Sequence, residues 1–207
     1  MLALFHDFSD RSVLIVGGGS VALRKARTFA DEADVTVVAP VFVDGFAELP
    51  CELLDRRVEP ADASALVDSA YLVVPATDDG ELNEALASAA REAGCLVNRV
   101  DEPGDVVVPG RAASERLTVA IATDGASPAV SKYLRRELEP LLERTDPMVR
   151  LQAELRQKLQ TAADRPQAER RDALWRILED ERVWAHLDAG EYDAARSRAL
   201  ELAALDR

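Results

Sequence analysis

Residues 17–22 read Gly-Gly-Gly-Ser-Val-Ala, a glycine-rich stretch whose spacing is typical of phosphate binding. The stretch fits G-x-G-x-x-A, which binds a dinucleotide pyrophosphate when it follows a strand and opens a helix. Gly17 permits the tight turn, Gly19 lets the backbone approach the phosphates, and Ala22 allows close packing of helix on strand. The free N–H groups and the positive end of the helix dipole favour the negative charge. A glycine-rich turn in an α/β fold can also lack a ligand, so the motif needs further support.

The residue that usually completes such a site is missing from the second predicted strand. Dinucleotide-binding folds commonly carry Asp or Glu about 20 residues after the glycine turn, where the carboxylate holds the ribose hydroxyls. This chain has Ala39, Pro40 and Val41 at that place, and the next acid is Asp44. No arginine stands there for a 2′-phosphate either. The residues therefore indicate a dinucleotide without choosing between NAD and NADP.

Polar residues also follow a later apolar run. Thr77, Asp78 and Asp79 come after Tyr71–Val74, and a helical pattern begins at Glu81. At the carboxyl end of a parallel strand, Thr77 and Asp78 could contact the ribose of a bound cofactor. Because Asp is favoured at helix starts, capping of the next helix is the expected role of Asp78 or Asp79.

A parallel sheet flanked by helices would bring these residues to one edge. Short apolar runs alternate with helical segments in the first half of the chain, which predicts an α/β fold with a Rossmann-type doubly wound parallel sheet. Strands are expected at 13–16, 35–38, 53–58, 71–74 and 95–97, and helices at 21–31, 62–68 and 81–93.

The second half of the chain has a different pattern. Val106–Val108 and Leu117–Ala122 are strand-like, and Ser127-Pro128 predicts a helix start, a signal that Asp146-Pro147 repeats. From there the pattern is helical to the end of the chain. The predicted core of this helical part consists of Met148, Leu151, Leu155, Leu159, Trp175, Leu178, Val183, Trp184 and Leu187. These features predict domains 1–109, 110–147 and 148–207.

Charge and composition limit the classes of function. The 207 residues carry a formal net charge of −13, which disfavours a general nucleic-acid binder because phosphates would be repelled. Lysine occurs only at Lys25, Lys132 and Lys158. This acid-rich, lysine-poor composition predicts adaptation to high salt, although a GC-rich genome would produce a similar bias.

The other reactive residues predict neither a disulfide framework nor a metal site. Cys51 and Cys95 are expected to be inert small hydrophobes, and His6 and His186 lie far apart in sequence. No apolar run is long enough to span a membrane, and the short N-terminus lacks the basic region of a signal peptide. A cytoplasmic protein is the default expectation.

Five ordered stretches of the chain resemble the dehydrogenase module of siroheme synthases. This family comprises precorrin-2 dehydrogenases, some of which are also sirohydrochlorin ferrochelatases. Residues 17–26 match its signature GGGxVAxRKA, and the resemblance covers essentially the whole chain. The other stretches are Val38-Ala39-Pro40, Ala76-Thr77-Asp78-Asp79 with Leu82-Asn83, Asn98-Arg99-Val100-Asp101 with Pro103, and Thr123-Asp124-Gly125-Ala126-Ser127-Pro128.

The resemblance implies NAD-dependent oxidation of precorrin-2 to sirohydrochlorin, on the way to siroheme. It also implies a homodimer with an NAD-binding domain, a middle dimerisation region and a helical C-terminal domain. Family cofactor contacts fall at Ser20, Val21, Pro40 and Val41, so the missing acid is a family trait. The essential aspartate of the family corresponds to Asp101. Some relatives carry a phosphorylatable serine where this chain has Thr123, which puts that regulation in doubt.

Asp101 follows the predicted 95–97 strand and can reach the crevice where the nicotinamide is expected. Its carboxylate could accept a proton as general base, orient the macrocycle without titrating, or form a turn before Pro103. Asn98 could hold this loop by side-chain hydrogen bonds. The absence of a His or Cys cluster favours dehydrogenase activity without iron insertion, and the bifunctional enzyme remains the alternative.

The substrate implied by the family is rich in carboxylates, whereas the chain is net negative. Arginine suits bidentate carboxylate binding, so we expect a locally positive wall in the substrate pocket. The candidate substrate-binding residues are Asn98, Arg99, Arg111, Arg116, Ser127 and Lys132, with Arg135 and Arg136 on the same predicted helix as Lys132. Any single arginine could equally be solvated or salt-bridged surface.

Two other classes of function share parts of this pattern. A non-catalytic NAD-sensing module would need the glycine turn and the sheet, but not Asn98, Asp101 or the arginines. A hydroxy-acid dehydrogenase would usually place a His or Lys near the nicotinamide, and neither His6 nor His186 is well placed. The fold by itself excludes neither class, because it hosts many functions.

Overall fold

The chain folds into two units, residues 1–108 and 109–207. The structure is a computed structural model and describes residues 3–99, 105–161 and 166–204. The candidate base Asp101 lies outside the described residues. Within the described residues, no helix combines the length and the apolar character needed to cross a membrane.

The first unit is built on a parallel sheet of five strands in the order β3-β2-β1-β4-β5. The strands are β1 Ser12–Val16, β2 Asp34–Ala39, β3 Cys51–Asp55, β4 Leu72–Pro75 and β5 Leu96–Val97. The strand order reverses between β1 and β4, and ligands of such folds bind beyond the carboxyl ends of the strands at this switch point. The predicted Rossmann-type α/β fold is confirmed.

Helices cover both faces of this sheet. They are α1 Ser20–Phe29, α2 Ala63–Val67 and α3 Gly80–Glu92, with 3-10 turns at Phe46–Glu48 and Pro60–Asp62. Helix α1 buries Ala22, Ala26 and Phe29 on one face of the sheet, whereas α3 buries Leu86 and Ala90 on the other. This two-sided cover explains why β1, β2 and β4 are short, nearly continuous apolar runs.

The second unit combines a hairpin with helices. Strands β6 Gly110–Ala113 and β7 Thr118–Ile121 pair antiparallel, and they are followed by α4 Pro128–Thr161, α5 Gln167–Leu178, α6 Glu181–Asp188 and α7 Tyr192–Ala203. Helix α4 begins where Ser127-Pro128 predicts, and the Ser127 hydroxyl accepts a hydrogen bond from the Val130 N–H at 3.3 Å. Ser127 therefore acts as the predicted N-cap.

The strand predicted at Val106–Val108 is wrong. This stretch is irregular, and the strand lies later, at Gly110–Ala113. The Val106 N–H donates to the Val97 carbonyl at 3.2 Å, which ties the stretch to the end of β5. A short apolar run does not reveal whether a partner strand is available, and here the partner β7 pairs with the less apolar Gly110–Ala113.

The helix start predicted at Asp146-Pro147 is also wrong, because α4 continues through both residues. Asp146 is buried, and its carboxylate accepts hydrogen bonds from the Ser114 hydroxyl and the Arg116 N–H, both at 2.7 Å. The Arg116 guanidinium adds a third contact at 2.6 Å. The side chain thus holds the β6–β7 turn instead of capping a new helix. The boundary predicted at 147 stays a prediction, and it falls inside one helix.

The core of the helical part largely follows the predicted stripe. Leu151, Leu155 and Leu159 are fully buried on α4, together with Met148. Trp175 is a correction, since 54% of it is exposed, and its neighbour Ile177 fills the core instead. An α-helix turns by about 100° per residue, so a two-residue shift moves a side chain to the opposite face.

Candidate cofactor-binding and catalytic site

The glycine turn lies at the carboxyl end of β1, where the strand order reverses. Gly17 has φ = +132°, a conformation that favours glycine. A Cβ on Gly17 would lie only 2.3 Å from the Ala76 carbonyl oxygen at the end of β4. Its N–H donates to the Val38 carbonyl at 2.9 Å. Gly17 is therefore required by both its backbone conformation and its close neighbours.

Gly18 is required as well, although the motif leaves its position open. A Cβ at Gly18 would lie 1.9 Å from the Val41 carbonyl oxygen and 2.9 Å from Ala39 Cβ. The Gly18 carbonyl also accepts a hydrogen bond from the Val43 N–H at 2.9 Å. The segment after β2 thus packs directly on the turn. Three consecutive glycines were the only sequence signal for this contact.

Gly19 faces open space. It is the N-cap of α1 with an ordinary φ of −83°, and a Cβ there would have no neighbour within 4 Å. No side chain of the described residues caps this helix end, and both Ser20 and Val21 are exposed. The first-turn N–H groups of a helix lack intrahelical partners. We call Gly17–Gly19 the glycine cradle; its closed inner side and open outer side fit a dinucleotide pyrophosphate.

The other predicted cofactor residues of the first unit surround this cradle. Pro40 and Val41 follow β2 and are exposed, Val41 to 76%. Thr77 lies beside Gly17, since a Cβ on Gly17 would be 3.4 Å from the Thr77 nitrogen. Asp78 is exposed next to Thr77. The fold therefore brings these residues to one edge of the sheet, and their contacts with a cofactor stay predictions.

Asp79 caps α3, as expected for one of the two adjacent aspartates. Its carboxylate accepts hydrogen bonds from the N–H groups of Glu81 at 3.0 Å and Leu82 at 3.1 Å. Asn83, which is 2% exposed, supports the same turn from inside α3. Its amide accepts from the Thr77 N–H at 3.2 Å and donates to the Thr77 carbonyl at 3.0 Å. Asn83 is thus a positioning residue that sequence reasoning noted only as part of a motif.

Asn98 follows β5 directly and is 3% exposed. Its side-chain amide donates to the Val106 carbonyl at 2.7 Å, and its backbone N–H donates to the Val73 carbonyl at 3.0 Å. Among residues 3–99, 105–161 and 166–204, the buried Oδ1 atom of Asn98 has no hydrogen-bond partner. Asn98 therefore fastens the chain on both sides of the segment that contains Asp101.

Arg99 is buried, whereas an arginine on the surface of a substrate pocket would be more exposed. Its side chain is 3% exposed and forms an ion pair with Glu84 on α3. This contact anchors the end of β5 to α3. A role for Arg99 in contacting the substrate stays a prediction.

The remaining candidate substrate residues lie in the second unit. Arg111 is exposed on β6, and Lys132 is exposed on α4. Arg116 is bound to Asp146 and to Glu115, each at 2.6 Å, and these hydrogen bonds raise its pKa. Hydrogen bonding from Ser114, and then from Arg116, holds the pKa of Asp146 below its usual range. Arg116 therefore has an evident structural role in this unit.

The described residues contain no group of three His, Cys, Asp or Glu side chains that could hold a metal ion. Both thiols are free, and burial raises the pKa of Cys51 and of Cys95. A raised pKa keeps a thiol protonated and weakly reactive at neutral pH. These environments agree with the predicted inert role of the two cysteines.

Comparisons with known proteins extend this picture. The model of an NAD(P)-binding family matches residues 4–110. Precorrin-2 dehydrogenase from Methanosarcina barkeri (strain Fusaro / DSM 804) is 40% identical over 208 residues, covering 96% of this chain and 91% of that protein. Siroheme synthase from Tolumonas auensis (strain DSM 9187 / NBRC 110442 / TA 4) is 39% identical over 145 residues, covering 68% of this chain but 30% of that longer protein.

A solved structure agrees with the sequence comparisons. It is described as SirC, precorrin-2 dehydrogenase, and it matches with a TM-score of 0.73 and 25% sequence identity over 97% of this chain and 100% of that one. The similarity is thus not confined to the sheet and the glycine cradle but extends through the helical part. The chain belongs to the precorrin-2 dehydrogenase family, to which the N-terminal module of siroheme synthases is related.

Proposed function

We propose that this chain is a precorrin-2 dehydrogenase, which oxidises precorrin-2 to sirohydrochlorin with NAD in siroheme biosynthesis. The observation that carries the proposal is a glycine cradle at the switch point of a chain that resembles a precorrin-2 dehydrogenase over nearly its whole length. A non-catalytic NAD-sensing module would account for the cradle, but not for the similarity through the second unit.

The residues of the first unit bind and orient the cofactor. When bound, NAD supplies the acceptor for the hydride that leaves precorrin-2. The N–H groups of Ser20 and Val21, beside the open side of Gly19, hold the phosphates with help from the α1 dipole. Thr77 and Asp78 line the adjoining edge of the crevice, and Asn83 fixes Thr77.

Asp101 accepts the proton that accompanies the hydride, at a carboxylate oxygen, and so acts as general base. Asn98 supports this role because its contact with Val106 joins the chain before and after residues 100–104. Joining the chain on both sides of Asp101 limits how far this base can move from a bound substrate, which matters because proton transfer needs contact distance.

An anaerobic assay tests this function directly. Purified protein, enzymatically made precorrin-2 and NAD should yield the absorption spectrum of sirohydrochlorin, and Asp101→Ala and Asp101→Asn should both lose product by about 100-fold or more. Asp105→Ala is the matched control, since Asp105 is an exposed acid four residues after Asp101 that pairs with Arg91 at 3.5 Å. It should keep most of the activity.

Two outcomes would reject parts of this proposal. A folded protein that binds NAD but forms no product would favour the NAD-sensing alternative. Full activity in Asp101→Asn would remove Asp101 from the proton transfer. We propose the dehydrogenase activity alone, without iron insertion. Adding ferrous iron after the oxidation tests this point separately.

We propose further that the protein is a homodimer. Helix α4 exposes Val130, Tyr133, Leu134 and Leu141, between 38% and 53% of each residue. Their spacing puts them on one side of the helix, which is an apolar stripe that a second copy could cover. Sedimentation equilibrium should give twice the chain mass, and Leu134→Glu with Leu141→Glu should give a folded monomer.

We also propose a cytoplasmic, salt-adapted protein. The support for salt adaptation is the net charge of −13 combined with only three lysines. A highly charged acidic surface remains hydrated when salt screens its repulsion.

A further inference from the structure

The acid that is missing from β2 has a counterpart on the neighbouring strand. Asp55 is the last residue of β3 and is paired in register with Ala39, the last residue of β2. Residues paired in this way on parallel strands point to the same face of the sheet, and the strands lie about 4.8 Å apart. Asp55 therefore lies one strand away from the place where a ribose-binding acid is usual.

The face on which Asp55 lies is also that of the glycine cradle. Ala39 Cβ is the side-chain atom that a Cβ on Gly18 would approach to 2.9 Å. Leu53, two residues before Asp55, packs in the core cluster formed with α1, which confirms the direction of the alternate residues of β3. The Arg56 N–H donates to the Ala39 carbonyl at 3.1 Å, so the ends of β2 and β3 are held together.

The carboxylate of Asp55 is available for a ligand, whereas the two arginines that follow it in sequence are paired with other acids. Asp55 is exposed, and its side chain makes no hydrogen bond or ion pair among the described residues. Arg56 pairs with Asp62 at 3.5 Å, and Arg57 pairs with Glu59 at 3.1 Å. The two arginines that could attract a 2′-phosphate are thus each paired with another acid.

We propose that Asp55 accepts hydrogen bonds from the adenosine ribose hydroxyls of NAD and thereby selects NAD over NADP. A carboxylate is an acceptor only, which suits two hydroxyl donors. A phosphate monoester carries a charge of about −1.5 to −2 at neutral pH, so a 2′-phosphate would be repelled at this position. This inference deepens the proposed function and rests on NAD as the cofactor.

Asp44 is the alternative source of the acid. It follows Val43, whose N–H is bonded to the Gly18 carbonyl, and it is the next acid along the chain after β2. Glu52 is a matched control, because it lies on β3 three residues before Asp55 and on the opposite face of the strand. Its carboxylate accepts a hydrogen bond from the Thr36 hydroxyl at 3.1 Å. Substitution of each acid removes the same charge from a different position.

Isothermal titration of NAD and of NADP, without tetrapyrrole and at one fixed KCl concentration, tests the inference. Asp55→Ala should raise the Kd for NAD about tenfold while leaving or lowering that for NADP, because a charge-assisted hydrogen bond is lost and a repulsion is removed. Asp55→Asn keeps one acceptor oxygen and should have an intermediate effect. Asp44→Ala and Glu52→Ala should keep the wild-type ratio of the two Kd values.

Three results would overturn the inference. One is an unchanged NAD-to-NADP ratio in a folded Asp55→Ala protein, and another is loss of selectivity in Asp44→Ala instead. The third is evidence that the Asp55 carboxylate contacts the adenine amino group instead of the ribose. In that case wild type would bind deamino-NAD, which lacks this amino group, about tenfold more weakly than NAD. Asp55→Ala would abolish this difference. Because only binding is measured, a failure here is distinct from a failure of the dehydrogenase assay.

Discussion

At the scale of single residues, the three glycines of the cradle have different structural roles. The sequence motif predicts the roles of Gly17 and Gly19, and the geometry agrees with both. The motif does not predict that Gly18 must be glycine, because the lack of space for a Cβ comes from Val41, which lies more than twenty positions later in the chain. Local patterns carry information on backbone conformation, whereas a close approach between distant segments appears only in the folded chain.

Alanine at Gly18 and alanine at Gly19 should therefore behave differently. Gly18→Ala forces the segment at Val41 to move and should destabilise the protein by about 1–3 kcal/mol, as overpacking does. Gly19→Ala has open space around its Cβ. It should change stability by less than about 1 kcal/mol but weaken NAD binding, because the methyl group occupies the phosphate position. Denaturant unfolding and NAD titration measure the two effects; equal stability losses would contradict this division.

The basic residues of the second unit should also separate into two groups. Arg111→Glu and Lys132→Glu reverse charges at exposed positions and should raise the KM for precorrin-2 about tenfold, with the folded state intact. Arg116→Glu should instead lower the melting temperature, because it places a carboxylate against Asp146. Steady-state kinetics and thermal unfolding distinguish the groups. Unchanged kinetics in the Arg111 and Lys132 variants would remove both from the substrate pocket.

At the scale of elements, the order of strands and helices in the first unit follows from the sequence. Apolar runs, the glycine turn and the cap at Asp79 each agree with their local structure. The second unit is less predictable, since Asp146-Pro147 has the local signature of a helix start but lies inside α4. The hydrogen bonds from Ser114 and Arg116 outweigh that signature, and both donors lie about thirty positions away.

Asp146 should make the stability of the second unit dependent on pH. Its pKa is lowered in the folded state, first by the Ser114 hydroxyl and then by Arg116, so folding favours the ionised form. The stabilisation is therefore present above the unfolded pKa of about 4 and is lost as the pH falls through the lower, folded pKa. Wild type should be more stable than Asp146→Asn at neutral pH, and the difference should shrink below about pH 4.

Denaturant unfolding of both proteins at a series of pH values measures this difference. Asp172→Asn is a suitable control, because Asp172 is an exposed acid of α5 that pairs at the surface with the neighbouring Arg171 at 3.6 Å. A constant difference between wild type and Asp146→Asn down to acidic pH would contradict the proposed linkage.

At the scale of the whole molecule, composition leads to a prediction about behaviour in solution but carries little information on packing. The excess of acids over bases, 38 against 25, is visible at once. By contrast, the exposure of Trp175 could not be read from composition or hydrophobicity, because it depends on which face of α5 meets the other helices. Large aromatic side chains usually favour the core, but the helix face decides.

The free energy of unfolding should rise with KCl concentration. Repulsion among surface carboxylates is screened within about 10 Å at 0.1 M salt and within about 3 Å at 1 M. Chemical unfolding by urea, which adds no charge, should show increasing midpoints from low to molar KCl. If the free energy of unfolding does not depend on KCl, the composition reflects genome bias rather than adaptation to salt.

The unbroken path of α4 has a consequence for how such genes can recombine. Leu142 of α4 packs with Ala112 and Ile121 of the hairpin, while Leu151 and Leu155 of the same helix pack with α5 to α7. A crossover between relatives at residues 108/109 would leave each unit with its own core. A crossover at 147 would join two halves of α4 from different parents. The first half packs with the hairpin and the second half packs with α5 to α7, so the joined helix would have to fit both. Viable natural chimeras of this family should therefore exchange segments at the first junction and avoid the second.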